Sequence, residues 1–204
     1  MPEVSLLLWD VGGVLLSNGW DHEARRAAAS RFGLDGAELE RRHESVADAF
    51  ETGQLDLEAY LEAVVFHAPR AFSPAEFRSF MFDRSTPRPE TLELARALHR
   101  RGGPLMGALN NESRELNEHR IAAFHLRDVL DVFLTSCYTG LRKPDPAAYR
   151  YALALTQREH GQALFLDDRP ENVAAASGVG MHAILVREPE RLAEELTFYG
   201  ISSN

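Results

Sequence analysis

Cysteine and basic side chains are both scarce in this sequence of 204 residues. It has one cysteine, and its 22 Lys and Arg face 31 Asp and Glu, which gives a formal net charge of -9. The lone Cys137 excludes an internal disulfide, and no CxxC or paired Cys/His spacing offers ligands for zinc. The acidic balance argues against a surface that tracks nucleic-acid phosphates. We therefore expect no nucleic-acid partner, and the cysteine content fits a reducing cytoplasm.

Long apolar runs and the motifs of two large enzyme classes are also missing. The N-terminal run MPEVSLLLWD is too short to span a bilayer and lacks the basic region and cleavage site of a signal peptide. We interpret it as a buried strand and expect no membrane association. The patterns GxSxG and GxxxxGK[ST] do not occur, which excludes nucleophilic-serine and P-loop interpretations.

Five short apolar runs predict the strands of one sheet. They cover residues 4–9, 105–109, 132–135, 163–166 and 182–186. Their hydrophobicity is continuous rather than alternating, as in parallel strands that helices cover on both faces. The prediction is an α/β fold with a three-layer, Rossmann-like parallel sheet. Its order should be 5-4-1-2-3, because the acidic residues after the first and fourth runs come together only if those strands are neighbours.

A helical insertion separates the first run from the second. Helical patterns cover residues 23–32, 35–51, 57–65 and 73–82, and the pattern at 90–101 resumes the core. The insertion contains an aromatic-rich set that we interpret as its own packing core, namely Phe66, Phe72, Phe77, Phe80, Met81 and Phe82. We predict an α/β core domain formed by residues 1–16 and 87–204, and a helical cap subdomain formed by residues 17–86.

Carboxylates follow two of the predicted strands. Asp10 ends the first run, and Asp167 and Asp168 end the fourth. The carboxyl ends of parallel strands meet at one edge of a sheet, so these three side chains should converge. They would repel one another unless a cation neutralised them, and oxygen ligands select a hard ion such as Mg²⁺. The alternative for Asp168 is structural, because Asp168 and Glu171 have the spacing of a helix capping box.

Polar and basic residues add to the same edge. Asn110 and Asn111 follow the second run, and Lys143 stands before a proline between the third and fourth runs. A lysine beside a metal binds a phosphoryl group as a point charge, and amides donate hydrogen bonds to its oxygens. The set therefore indicates a phosphoryl-transfer site. Taken alone, Lys143 would be an exposed loop lysine whose replacement by alanine leaves the fold intact.

These motifs resemble those of the haloacid dehalogenase-like (HAD) hydrolase superfamily, specifically its subfamily I members with a helical cap (C1) after the first strand. The resemblance covers nearly the whole chain. The cap segment at residues 50–60 is similar to one in the sugar-phosphatase branch. The four matching motifs are residues 10–15, residues 109–110, residues 143–144, and residues 167–168 with Asn172.

The resemblance implies a role for each matching residue. Asp10 would be the nucleophile that forms an aspartyl-phosphate, while Asn110 and Lys143 would hold the phosphoryl group, with Asn111 beside them. This chemistry is covalent catalysis, in which one difficult displacement is divided into two easier ones.

The resemblance also implies the ligands of Mg²⁺. Asp10 and Asp168 would bind the ion directly, Asp167 would assist through water, and the backbone carbonyl of Gly12 would be the remaining protein ligand. The bound ion would neutralise charge that develops on the phosphoryl group.

Two positions depart from the family pattern. Gly12 stands where these phosphatases carry a second aspartate as general acid and base, and Asn110 replaces a Ser or Thr. Losing a positioned acid or base costs roughly 10²–10⁴-fold in rate, so we expect a substrate with a good leaving group, such as a sugar 1-phosphate or an acyl phosphate. Asp21 and His22 stand at the entrance to the cap, where a histidine can carry a proton near neutral pH, but we interpret them as the solvated start of a helix with Asp21 as its N-cap.

The predicted function is that of a Mg²⁺-dependent phosphatase acting on a small phosphorylated metabolite. Two alternatives stay open. One is a HAD-like binding or regulatory protein with little turnover. The other is a 2-haloacid dehalogenase, against which Asp167 and Asp168 argue, because a metal-free site has no need of an acidic pair beside Asp10. The natural substrate is open, and we expect a monomer or a homodimer.

Overall fold

Five parallel strands form one sheet in the computed structural model, which describes residues 3–202. The strands are β1 (Leu6–Trp9), β2 (Leu105–Ala108), β3 (Val132–Phe133), β4 (Ala163–Asp167) and β5 (His182–Leu185). Their order is β3-β2-β1-β4-β5, which is the predicted order read from the opposite edge. Trp9 lies opposite both Ala108 and Leu166. The carboxyl ends of β1, β2 and β4 therefore meet, as the sequence predicts.

Helices alternate with the strands along the chain. They are α1 (His22–Phe32), α2 (Gly36–Glu51), α3 (Leu57–Val64), α4 (Pro74–Phe82), α5 (Pro89–Arg101), α6 (Arg114–Ala123), α7 (Ser136–Thr139), α8 (Pro146–Thr156), α9 (Pro170–Gly178) and α10 (Leu192–Thr197). Across residues 3–202, none of these helices has the length and apolar character needed to span a bilayer.

Both faces of the sheet are covered, because side chains along a strand alternate between them. Leu7 and Leu164 pack in a cluster with residues of α5, α6 and α10, whereas Leu8 and Phe165 pack with residues of α8 and α9. Each fully buried Leu or Phe contributes about 1.5–3 kcal/mol relative to exposure. The continuous apolar runs are thus explained by a three-layer α/β architecture.

The helices α1 to α4 begin at side chains that satisfy the first backbone N–H groups. Asp21, Asp35 and Asp56 each accept a backbone hydrogen bond at the start of α1, α2 and α3. Ser73 and Glu76 form a reciprocal capping box at α4. These local signals explain why the four predicted helices occur within a residue or two of their predicted limits.

A separate hydrophobic cluster holds α1 to α4 together. Phe77 and Met81 are fully buried in it, and the other members of the aromatic-rich set pack against it. The interpretation of that set as a packing core is therefore confirmed. The chain enters and leaves this helical region side by side, since the amide of Ser17 donates to the carbonyl of Thr86 over 2.8 Å. We propose residues 17–86 as the cap and use that name below.

Candidate active site

Three carboxylates converge at the carboxyl edge of the sheet. Asp10 follows β1, while Asp167 and Asp168 lie at and just after the end of the neighbouring β4. One carboxylate oxygen from each lies within 4.8 Å of the other two. Acidic groups at this spacing repel one another, and a divalent cation with oxygen ligands removes the repulsion. The convergence predicted from the strand ends is present.

Lys143 lies inside this acidic group. Its Nζ is 3.0 Å from Oδ1 of Asp10 and 2.6 Å from Oδ2 of Asp167. The side chain is buried, so the interpretation of Lys143 as an exposed loop lysine is wrong. Asn111 holds the backbone of Lys143, because its side-chain amide accepts from the Lys143 N–H at 2.9 Å and donates to the carbonyl at 2.8 Å. Asn111 therefore positions the lysine.

Asp167 serves mainly as a partner of protein groups. Its Oδ1 accepts from the backbone N–H of Arg169 at 2.8 Å, and the amide of Asn172 lies 3.0 Å from both of its oxygens. Together with the contact to Lys143, these bonds fix a carboxylate that is fully buried. Asp167 thus orients the lysine, and any contact with a metal through water stays a prediction.

Asp168 has the opposite character. Its Oδ1 is buried and makes no hydrogen bond to any residue in the described range. Its Oδ2 lies against Gly13, which has a φ of 80° and where an added Cβ would stand 2.0 Å from that oxygen. The capping-box interpretation is wrong, because α9 begins at Pro170, its N-cap residue is Arg169, and no side chain caps it. A buried carboxylate oxygen without a protein donor, beside two other acids, fits a metal ligand.

Because these carboxylates are buried or half-buried, it is energetically unfavourable for all of them to be ionised at once. Desolvation raises the pKa of the Asp10 carboxyl to about 7, against the opposing charge of Lys143 and with added repulsion from Asp167. The pKa of Asp168 is raised as well, first by burial and then by Asp167. One lysine therefore does not neutralise the group, and the residues present suit a divalent cation.

Asn110 contributes a hydrogen-bond donor, whereas the carboxylates are acceptors. The hydroxyl of Thr135 donates to its Oδ1 at 2.9 Å, and the NH₂ group is at the other end of the amide. That Nδ2 is buried and has no partner among residues 3–202. Asn110 therefore offers a hydrogen-bond donor at the predicted phosphoryl position, and Thr135 is the residue that orients it.

A cavity of about 320 Å³ opens between the core and the cap. Asp10, Gly12 and Lys143 line it from the core, and residues of α1 and α2 line it from the cap. Asp167 and Asp168 lie beside Asp10 without lining it themselves. At Gly12 an added Cβ would stand 3.3 Å from Oδ1 of Asn18. A side chain at position 12, where related phosphatases carry the general acid, would therefore lie next to polar side chains.

Asp21 and His22 also line the cavity. Oδ1 of Asp21 accepts from the N–H of Ala24 at 2.8 Å and so caps α1, as the structural interpretation predicts. His22 is exposed, and its Nδ1 lies 3.4 Å from Glu40. A role for either residue in proton transfer stays a prediction.

Sequence reasoning missed a buried ion pair at the cavity wall. Arg120 of α6 lies 3.0 Å from Glu112, and it also donates to Ser85 and to the carbonyl of Ser17. Burial raises the pKa of Glu112, with Arg120 acting against the rise. Glu112 stands two residues after Asn110, in the segment that follows β2. This position near a strand end could have marked Glu112 as a candidate. Arg120 lies in a helix and carried no signal.

This fold and site define a hydrolase with an acidic group and a lysine at the carboxyl edge of a parallel sheet and a helical insertion after the first strand. The family model for haloacid dehalogenase-like hydrolases matches residues 4–180. The chain belongs to this family.

Two relatives illustrate the similarity. Phosphatase MT3486 of Mycobacterium tuberculosis (strain CDC 1551 / Oshkosh) is 30% identical over 201 residues, which is 90% of this chain and 87% of that protein. Bifunctional epoxide hydrolase 2 of Rattus norvegicus is 33% identical over 132 residues, or 63% of this chain. The matched region is 24% of the rat protein, so the chain corresponds to about a quarter of that relative.

Solved structures share the fold. A HAD-family enzyme of Bacteroides thetaiotaomicron, solved as a magnesium complex, has a TM-score of 0.75 and 17% identity, covering 89% of this chain and 92% of that one. An L-2-haloacid dehalogenase has a TM-score of 0.63 and 22% identity, covering 88% and 82%. At these identities the likeness concerns the fold alone.

Proposed function

We propose that this hydrolase is a Mg²⁺-dependent phosphatase that acts on a small phosphorylated metabolite through an aspartyl-phosphate. The observation that carries the proposal is the group formed by Asp10, Asp167, Asp168 and Lys143, whose carboxylates lie within 4.8 Å of one another around a buried ammonium. The mycobacterial relative, named a phosphatase, supports this reaction class, and the magnesium complex of the Bacteroides enzyme supports the metal.

Asp10 is the nucleophile in this proposal. Its Oδ1 is held by the backbone N–H of Val11 at 2.8 Å and by Nζ of Lys143 at 3.0 Å, which leaves Oδ2 for the attack. The Oδ2–phosphorus bond forms as the bond to the leaving oxygen breaks, and the leaving group takes a proton from solvent. Water then attacks the phosphorus of the acyl phosphate, so that inorganic phosphate departs and the carboxylate is restored.

The metal site would use Asp10, Asp168 and the carbonyl of Gly12, with Asp167 assisting through water. Asp168 has the buried carboxylate oxygen without a protein donor that such a site needs. When bound, Mg²⁺ supplies positive charge that polarises the phosphoryl group.

Lys143 and Asn110 would bind the phosphoryl oxygens. Lys143 is held in place by Asp167 and by the amide of Asn111, so its charge is positioned before substrate arrives. Asn110 adds the Nδ2 donor that Thr135 orients. Asn111 lines the cavity and fixes this lysine, and direct binding of the substrate by Asn111 stays a prediction.

Gly12 removes the side chain that would protonate the leaving group and activate water. The substrate therefore needs a leaving group of low pKa, and hydrolysis of the aspartyl-phosphate becomes the slow step. Arg120 stands near this position, with its Nη1 3.7 Å from where a Cβ of residue 12 would be. Arginine stays protonated at neutral pH and does not serve as a base.

The test is a screen for Mg²⁺-dependent phosphate release across sugar phosphates, nucleotides, glycolytic intermediates and acyl phosphates, with Asp10→Asn as the blank. Release that requires both Mg²⁺ and Asp10 supports the proposal. Halide release from chloroacetate without Mg²⁺ would favour the dehalogenase instead. Tight binding of phosphorylated ligands with no turnover on any of them would favour a binding or regulatory protein.

A further inference from the structure

On the side of the cap, the cavity is lined by a buried histidine that is hydrogen-bonded to an aromatic residue, which is in turn bonded to a second one. We call this side of the cavity its roof. His43 of α2 lines the cavity and is 8% exposed. Its Nδ1 lies 2.8 Å from the hydroxyl of Tyr60, and that hydroxyl also lies 2.8 Å from Nε1 of Trp20. Trp20, His43 and Tyr60 thus form one chain that ends at the cavity.

The direction of these bonds follows from what each group is able to donate. The indole N–H of Trp20 is a donor only, so the Tyr60 oxygen accepts it. Tyr60 is fully buried, and among residues 3–202 its own O–H has His43 as its acceptor. Nδ1 of His43 is therefore unprotonated, which puts the ring proton of the neutral imidazole on Nε2. No hydrogen bond joins Nε2 to another residue within 3–202, and because His43 lines the cavity, we infer that Nε2 is the ring nitrogen open to it.

The imidazole is neutral at physiological pH. Burial, together with the nearby charge of Arg25, lowers the pKa of His43 to about 4. A neutral imidazole is a very weak acid, so His43 does not replace the missing general acid. It is a fixed N–H donor.

Two arginines that line the cavity near His43 are already paired within the protein. Arg25 makes two bonds to Glu40, of 2.8 and 2.6 Å, and donates to the carbonyl of Trp20. Arg142 bridges to Asp48 and Glu51, each at 2.8 Å. Neither guanidinium is left as an unpaired charge for a second anionic group. The roof therefore suits a leaving group that is uncharged.

An apolar surface stands next to the donor. Phe50 also lines the cavity, and its ring stacks on that of Tyr60 with 4.0 Å between centroids. His43 and Phe50 are two turns apart on α2 and line the same cavity, so a hydrogen-bond donor stands beside an apolar ring. A ligand that fills this space combines an oxygen with C–H groups.

We propose that His43 is a specificity-determining donor, and that through its Nε2–H the cavity selects phosphate esters whose uncharged leaving group carries a hydroxyl or ring oxygen. This inference rests on the proposed function for the phosphoryl half of the ligand. Trp20 and Tyr60 act as positioning residues, since they fix which nitrogen of His43 carries the proton.

Two replacements of His43 separate the donor from the packing. In His43→Asn the side-chain oxygen still accepts from Tyr60, but nothing reaches the place of Nε2. In His43→Gln the terminal amide returns a donor near that place. His67→Asn is the matched control, because His67 is another cap histidine and lies near Glu38, away from the cavity.

The experiment measures ligand binding by calorimetry in an Asp10→Asn background with Mg²⁺, using α-D-glucose 1-phosphate, cyclohexyl phosphate and inorganic phosphate. The first two ligands share a six-membered ring and differ in their ring and hydroxyl oxygens. We expect His43→Asn to weaken binding of glucose 1-phosphate by roughly 3- to 10-fold, the value of one neutral hydrogen bond. Binding of the other two ligands should not change, and His43→Gln should restore most of the loss.

Equal losses for glucose 1-phosphate and cyclohexyl phosphate, or no loss for either, would overturn the role of His43. Failure of inorganic phosphate to bind any variant would instead contradict the proposed function. Nitrogen NMR of the unmodified protein at neutral pH shows which ring nitrogen of His43 carries the proton, and this measurement needs no ligand. A proton on Nε2 supports the proposal, and a proton on Nδ1 overturns it.

Discussion

Asp168 and Asp167 are adjacent in sequence, and their surroundings give them different tasks. Asp167 receives hydrogen bonds from Asn172 and Arg169 and an ion pair from Lys143. Asp168 has a buried oxygen with no donor in the described chain. The first carboxylate is satisfied by protein groups, whereas the second keeps an oxygen without a protein donor for the cation that we propose.

Asp168→Asn should therefore have two opposite effects. The pKa of Asp168 is raised by burial and by Asp167, so its charge destabilises the folded, metal-free protein at neutral pH, and the variant should have a higher thermal midpoint. The increase in midpoint that Mg²⁺ gives to the parent should disappear. Thermal unfolding with and without Mg²⁺ measures both effects. A full Mg²⁺-induced increase in the variant would show that Asp168 is not a ligand.

If Asp10 is a metal ligand as we propose, metal binding should depend on pH. Its folded-state pKa is raised to about 7, mainly by burial, so the folded protein holds this proton more tightly than the unfolded chain does. The free energy of unfolding of the metal-free protein should fall as the pH rises toward 7. Because Mg²⁺ needs the ionised carboxylate, its affinity should fall by about tenfold for each pH unit below 7. Calorimetry from about pH 5.5 to 8 measures this, and a flat profile contradicts it.

At the scale of elements, α6 is the point where the core contacts both connections to the cap. Arg120 donates to the carbonyl of Ser17 on the incoming segment and to Ser85 on the outgoing one. Its remaining partner is the buried Glu112. One guanidinium of α6 thus joins the segment that follows β2 to both cap connections.

Arg120→Met should destabilise the protein by about 3–5 kcal/mol at neutral pH, because it leaves Glu112 charged and buried without a partner. Burial already raises the pKa of Glu112, so the deficit relative to the parent should shrink as the pH falls and Glu112 takes up a proton. Urea unfolding at two pH values measures the change. The double variant Arg120→Met/Glu112→Gln should recover part of the loss, and a loss as large as in the single variant would contradict this account.

The turn between α2 and α3 packs closely on α7. Gly53 has a φ of 73°, and an added Cβ would lie 2.3 Å from the carbonyl oxygen of Cys137. Gly33 is a matched control, since it has a φ of 62° with nothing within 4 Å of the added Cβ. We expect Gly33→Ala to cost about 1 kcal/mol from backbone strain and Gly53→Ala about 2–4 kcal/mol. If both variants lost a similar free energy of unfolding in urea, the turn of the cap would not be in close contact with α7.

At the scale of the whole molecule, the sequence was sufficient for the sheet and for the edge at which the acids meet. Continuous apolar runs marked five strands, and Asp10 and Asp168 required β1 and β4 to be neighbours, which they are. The helical insertion was predictable because Asp and Ser caps mark its helix starts. These signals are local in sequence, and the rules for connections between parallel strands convert them into a strand order.

Contacts between distant segments were not predictable in the same way. The motifs placed Lys143 at the shared edge, but its burial against Asp167 was not indicated, because a lysine before proline in a loop predicts exposure. The chain from Trp20 through Tyr60 to His43 joins three elements of the cap, and no spacing in the sequence indicates it. Such pairings depend on how helices pack, which apolar periodicity constrains only loosely.

The central claim is that Asp10 is the covalent nucleophile of a Mg²⁺-dependent phosphatase without a general base at residue 12. Acid quenching during turnover of a substrate found in the phosphate-release screen, followed by mass spectrometry of the peptide that contains Asp10, tests it most directly. The account predicts one phosphoryl group on Asp10, accumulating because its hydrolysis is slow, present only with Mg²⁺ and absent in Asp10→Asn. Steady phosphate release with no phosphoryl group on Asp10, or release that continues in Asp10→Asn, would contradict it.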